Sequence, residues 1–146
     1  MYYYTYDEFA KDFKDLAKNI DASFKADAIL AVARGGMSLA HCLALALNNR
    51  QVFVLNSIHY DDTTKLDTVE IFNVPDLSSF KTVLIVDDII DSGESMKEIK
   101  RLLQSKFPHI IFKVATVFKR KHSIFSPDFV VRDIDEWVVF HWDIKL

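Results

Sequence analysis

Apolar and polar residues change their spacing several times along the chain, and each change marks a predicted element. Tyr6, Phe9, Ala10, Phe13, Leu16, Ala17 and Ile20 recur at three- and four-residue intervals, the spacing of one helix face. Thr5 and Glu8 form a capping-box pattern ahead of that run, so a helix is predicted there with its aromatic stripe on the core or a subunit contact. Residues 28–33 are apolar without interruption, the pattern of a strand covered on both faces. Arg34, Gly35 and Gly36 follow, then an apolar helix from about Ser38 to Leu47. Residues 52–58 read as the next strand. Residues 59–68 are polar with no period and read as a mobile loop, and 69–72 as a short edge strand ahead of Pro75. A second apolar run, Val83 to Val86 after Thr82, feeds directly into Asp87-Asp88-Ile89-Ile90-Asp91-Ser92-Gly93-Glu94-Ser95. Met96, Ile99, Leu102, Leu103 and Phe107 then mark a helix stopped by Pro108, and 110–118 is another buried strand. Strand and helix alternate repeatedly, which predicts an α/β fold with a doubly wound, mainly parallel sheet flanked by helices. The end of the chain breaks the pattern: Lys119-Arg120-Lys121-His122 is basic, and 129–142 is aromatic without a helical period.

Composition narrows the function classes. The 146 residues fit one domain, 1–146, with 50% hydrophobic and 27% charged residues, a globular balance. A net charge of −3 argues against general affinity for nucleic acid or anionic membrane. Cys42 is the only cysteine, so one chain builds neither a disulfide framework nor a cysteine-based zinc site, and a reduced, cytoplasmic setting is expected. No apolar run approaches the roughly 18 residues of a membrane span. All three glycines, Gly35, Gly36 and Gly93, fall between a buried strand and a helix, where a ligand gains close access to backbone N–H groups.

The acidic run carries the candidate chemistry. It sits at the carboxyl end of a buried strand, the edge at which open α/β sheets bind ligands. Ser92, Gly93, Glu94 and Ser95 offer hydroxyls, a glycine free to take positive φ and backbone N–H groups at a helix N-terminus, together an anion cradle. Carboxylates repel a phosphate, so Asp87, Asp88 and Asp91 are expected to serve sugar hydroxyls or a divalent cation on the same ligand. An acidic helix cap is the plainer reading, but three like charges in five positions are costly without a partner. Arg34 offers a planar fork to a diphosphate where Gly35 and Gly36 let the backbone close in; the plainer reading is a tight turn with a surface arginine.

The run from Val83 to Ser95 resembles the phosphoribosyl-pyrophosphate signature of the type I phosphoribosyltransferases: an apolar strand, two acids, two aliphatics, then Asp-Ser-Gly-x-Ser. The end of the chain, Asp-Phe-Val-Val, Trp137-Val138-Val139 and Trp142-Asp143, is similar to the bacterial xanthine–guanine and hypoxanthine members, with His141 standing where they carry proline. The resemblance implies the type I phosphoribosyltransferase fold, with a small C-terminal hood over about 119–146. It also implies a magnesium-dependent pentosyltransferase of purine salvage, cytoplasmic and homo-oligomeric (dimer or tetramer). That enzyme would move 5-phosphoribosyl from 5-phosphoribosyl 1-pyrophosphate to N9 of guanine, xanthine or hypoxanthine.

By the same resemblance Arg34, Gly35 and Lys65 contact the diphosphate, and residues 87 to 95, including Ile89, Ile90 and Glu94, bind the donor. Asp88 is nearest magnesium and Asp91 handles the purine imidazole proton. Trp137 and the Val138 backbone hold the base. For the base carbonyl, counting forward from Ala115-Thr116 gives Arg120 and counting back from Phe129 gives Lys119; Lys119 is the residue taken here. A nucleotide-sensing regulator of the same fold and a transferase for another base remain as alternatives. A receiver domain fits poorly, because its acid pair follows the first strand.

Overall fold

The computed structural model describes residues 1–60 and 68–146. Lys65, and most of the segment read as a loop between the third and fourth strands, lie outside the described residues. The elements in chain order are β1 (Tyr2–Tyr4), α1 (Tyr6–Ser23), β2 (Ala28–Ala33), α2 (Gly36–Ala46), β3 (Val52–Tyr60), β4 (Thr68–Phe72), β5 (Thr82–Val86), β6 (Ile89–Ile90), α3 (Glu94–Lys106), β7 (Ile111–Lys119), β8 (Phe129–Asp133) and β9 (Val138–Phe140). The main sheet runs β4-β3-β2-β5-β7-β6, with β8 also on β7, and every pairing is parallel except β3 with β4. Five residues of β5 and the two of β6 pair along β7 in succession, at Val86↔Ala115 and then Ile89↔Phe118. Asp87 and Asp88 are therefore the step between two strands that share one neighbour.

Alternation along the central strands sorts their side chains into two cores. Ile29, Ala31, Leu84 and Val86 face α1 and α2, whose Phe9, Leu16, Ile20, Leu39 and Leu43 are buried with them. Ala28, Leu30, Val32, Val83 and Ile85 face α3, whose Met96, Ile99 and Leu103 close the opposite core. Unbroken apolar runs are what a sheet covered on both faces demands.

The start of α1 shows the predicted capping box: Glu8 N donates to Thr5 Oγ1 at 3.2 Å and Thr5 N to Glu8 Oε2 at 2.9 Å. Helix α2 begins at Gly36, two residues before the predicted start, and β3 extends through His59 and Tyr60. The largest departure is β1. The Tyr-Tyr-Tyr segment pairs in parallel with β9, register Tyr2↔Val138, in a separate two-stranded sheet. Local pattern cannot announce a three-residue strand whose partner lies at the far end of the sequence.

Candidate active site

From β2 the chain moves outward to β3 and β4, then returns across the sheet to β5 and on to β7. The loops leaving the carboxyl ends of β2 and β5 therefore diverge at a topological switch point, where the sheet opens a crevice. Arg34-Gly35 leaves the first of these strands and Asp87-Asp88 the second. The Ala33–Arg34 peptide bond is cis. A Cβ on Gly36 would run into the Val86 carbonyl and the Asp87 Cα, so only glycine lets α2 start this close to β5. A Cβ on Gly35 would stand 2.5 Å from Asp88 Oδ1, which sets the two loops in direct contact.

Three hollows meet at this edge. The first, about 490 Å³, is lined by His59, Asp87, Asp91 and residues 92–95. Gly93 takes a positive φ of 89° as the N-cap of α3, so the loop points backbone toward this space at the positive end of a helix. Behind the loop, the Ile124 amide donates to the Ser92 carbonyl at 2.9 Å, and a Cβ on Gly93 would strike Ser123 Oγ at 2.5 Å. His59 Nε2 lies 3.3 Å from Glu94 Oε2 across the mouth. The second hollow, about 710 Å³, is lined by Arg34, Gly35, Ser57, Asp87, Asp88 and Ser95 among others. Ser57 Oγ is the one buried side-chain polar atom without a hydrogen-bond partner among the described residues. Sequence reasoning missed it, because nothing in a strand pattern marks an orphaned hydroxyl. The third hollow, about 210 Å³, is lined by Asp88, Asp91, Arg120, Trp137, Val138 and Asp143 among others. Asp87 or Asp88 lies on the wall of each, and Asp91 on two.

Burial pushes the Asp87 carboxyl well above the usual carboxylate range, and the adjacent Asp88 charge pushes it further. Burial raises Asp88 as well. Backbone amides give partial relief: Asp88 N donates to Asp87 Oδ1 at 2.9 Å and Ile89 N to Asp88 Oδ1 at 2.7 Å. Among the described residues neither carboxylate has a cationic partner, and no group of three potential ligands forms a ready metal cage. This donor set fits magnesium, which is held through one or two carboxylates with the remaining positions left to water and ligand oxygens.

At the third hollow Lys119 and Arg120 are placed differently. Strand β7 runs to Lys119, and Arg120 is the first residue beyond it. Arg120, not Lys119, lines the hollow with Trp137 and Val138. Its side chain is 11% exposed, donating from Nε to Asp91 Oδ1 at 3.2 Å and from Nη1 to the Glu136 carbonyl at 2.6 Å. Lys119 is held in the sheet between Ile90 and Asp133. Counting forward from Ala115 without a gap finds the lining residue, since nothing is inserted in β7. Asp143, absent from the sequence-based selection, also reaches the hollow, and its Oδ2 accepts from the Phe140 amide at 3.0 Å.

A mainly parallel sheet with two glycine turns and paired carboxylates at its switch point has the architecture of a class of proteins that take phosphorylated ligands there. The chain belongs to the phosphoribosyl transferase domain family, whose model matches residues 3–146. Among curated proteins it is similar to a xanthine-guanine phosphoribosyltransferase of Idiomarina loihiensis, 28% identical over 99% of this chain and 88% of that one. Among solved structures it is similar to the Helicobacter pylori xanthine-guanine-hypoxanthine phosphoribosyltransferase, 34% identical, TM-score 0.89, covering 98% of this chain and 95% of that one. A hypothetical protein from Neisseria gonorrhoeae with bound ppGpp is 27% identical, TM-score 0.80, over 98% of this chain and 89% of that one.

Proposed function

We propose that this chain is a purine-salvage enzyme. It moves the 5-phosphoribosyl group of 5-phosphoribosyl 1-pyrophosphate to N9 of a 6-oxopurine, giving the nucleoside 5′-monophosphate and pyrophosphate. The observation that carries this reading is the meeting of three hollows at Asp87, Asp88 and Asp91. A donor with a phosphate at one end, a diphosphate at the other and its C1′ facing a flat base suits that geometry. The names of the relatives support the base class, since xanthine, guanine and hypoxanthine all carry a carbonyl at C6. The reading takes 1–146 as one domain of a cytoplasmic homo-oligomer. Among the described residues no helix is long and apolar enough to cross a membrane.

In this mechanism the bond between C1′ and the diphosphate oxygen breaks as N9 bonds to C1′. Residues 92–95 hold the 5′-phosphate, and Asp87 and Asp88 hold the ribose hydroxyls. Arg34 and the backbone at Gly35 receive the leaving diphosphate, whose charge grows as the bond breaks. Asp88, nearest the diphosphate turn, would carry magnesium, which when bound neutralises charge on the leaving oxygens. Asp91 takes the imidazole proton of the base, its Oδ1 fixed by Arg120 and its Oδ2 left for the ring. Arg120 donates to the C6 carbonyl, Trp137 stacks on the ring and the Val138 backbone meets the group at C2.

The test is direct: purified protein, magnesium and donor are mixed with guanine, xanthine, hypoxanthine, adenine or uracil, and products are identified by mass. Nucleoside monophosphate and pyrophosphate should form from one or more of the first three bases only. Product from uracil, or from no base at all, overturns the reading. The Neisseria gonorrhoeae neighbour favours a second use of the same site. Guanosine carrying two diphosphates presents a base and two anionic groups to the same hollows, and it should compete with the donor in this assay.

A further inference from the structure

The wall of the third hollow continues into a structure that the proposed chemistry does not touch. Val138 and Phe140 lie on β9, and the hydrogen-bonded neighbour of β9 is β1. The Tyr2 amide donates to the Trp137 carbonyl at 2.7 Å, so the pairing reaches the residue read as the stacking ring. Two paired strands of three residues do not hold their own position in water. Their placement depends on what β1 is fastened to.

That fastening converges on Arg132 in β8. Its Nη1 donates to Asp12 Oδ2 at 2.9 Å and its Nη2 to the Tyr2 hydroxyl oxygen at 2.8 Å. The Tyr4 hydroxyl donates to the same Asp12 oxygen at 2.6 Å, and the Tyr2 hydroxyl to Glu8 Oε1 at 2.5 Å. The guanidinium also lies over the rings of Tyr2, Tyr4 and Phe118, at 5.7, 5.8 and 5.1 Å from their centres. Arg132 thus ties together α1, β1 and the main sheet, where it pairs with Phe118. It lines none of the three hollows.

We propose that Arg132 is a positioning residue for the base: through β1 and β9 it fixes the wall formed by Trp137, Val138 and Phe140 without touching the ligand. The inference rests on reading the third hollow as the base site. Both donor-binding turns are on other elements, after β2 and β5, and are spared when the node is loosened. A stacking wall that shifts by even an ångström loses alignment with a flat ring, whereas donor contacts stay in register.

The test compares Arg132→Ala, Arg132→Lys, Tyr2→Phe and Trp137→Ala by steady-state kinetics, each first confirmed as folded by circular dichroism. Arg132→Ala should raise the Michaelis constant for hypoxanthine roughly tenfold and leave that for the donor within about twofold. Arg132→Lys, which keeps the charge without the fork, should recover part of the loss. Tyr2→Phe removes one hydroxyl from the node and should give a smaller, base-specific rise; it decides the matter if Arg132→Ala does not fold. Equal rises for base and donor, or no change for either, overturn the positioning role. If Trp137→Ala raises the constant for the base and neither node variant does, the inference fails while the base site stands. If Trp137→Ala is also silent, the base-site reading falls and takes the inference with it.

Discussion

At the scale of single residues, the tension lies in Asp87 and Asp88. Both have folded-state pKa values raised by burial, so their ionisation opposes folding. The stability these groups contribute is complete below about pH 3.9, the ordinary aspartate value, and is lost as pH rises through the raised values. Without ligands, the melting temperature should therefore climb as pH falls from neutral toward the usual carboxylate range, until other groups intervene. Asp87→Asn should raise it at neutral pH by about 2–4 °C for each kcal/mol relieved, and flatten that slope while abolishing donor binding. A variant with the parent's pH slope in thermal scans would remove the pair as its source. A second prediction separates Arg120 from its neighbour. Arg120→Ala deletes a buried charged donor and should raise the Michaelis constant for the base about tenfold to a hundredfold, the usual range for such hydrogen bonds, while Lys119→Ala changes it little. The reverse outcome in the same assay would return the role to Lys119. That a basic residue at the end of β7 borders the hollow was legible, and which of the two was not, because a strand end shifts by one position without changing any pattern.

At the scale of elements, strand-to-helix turns were the most legible part of the chain. An uninterrupted apolar run, a glycine and a helical pattern are all local features, so both strand-to-helix turns could be read without knowing the sheet order. Elements defined by distant partners were not legible: β1 carries no alternation long enough to read, and the node at Arg132 joins residues from both ends of the sequence. The two turns should respond differently to added bulk. Gly36→Ala puts a Cβ against backbone of β5 that cannot move aside, so α2 must back away from the sheet. That variant should lose both stability and pyrophosphate affinity. Gly93→Val meets a positive φ, the Ser123 hydroxyl and the Phe125 backbone amide, and should lower the melting temperature and weaken the donor while sparing pyrophosphate affinity. Titrating donor and pyrophosphate separately distinguishes the two, and equal loss of pyrophosphate affinity in both would discount the difference.

At the scale of the molecule, ligand and fold are linked through the switch point, where turns from opposite halves of the sheet meet. A donor that binds the folded chain only should stabilise it by about 2.7 kcal/mol at a hundred times its dissociation constant. Magnesium should be required for most of that gain, because two unpaired acids otherwise face the incoming phosphates. A donor-induced rise in melting temperature that is equal with and without magnesium would argue against a metal at Asp88. The pairing of Tyr2 with Val138 adds a constraint on the order of assembly. Contacts between residues so far apart in sequence close late, since the intervening loop entropy must first be offset. The turns read as holding the donor end at Ser95 and find their backing in β7 and in the loop at Ile124, whereas the wall facing the base awaits synthesis and docking of residues up to Phe140. A chain folding as it emerges would thus capture the sugar phosphate before it could select a base, and in refolding experiments donor binding should return ahead of base binding.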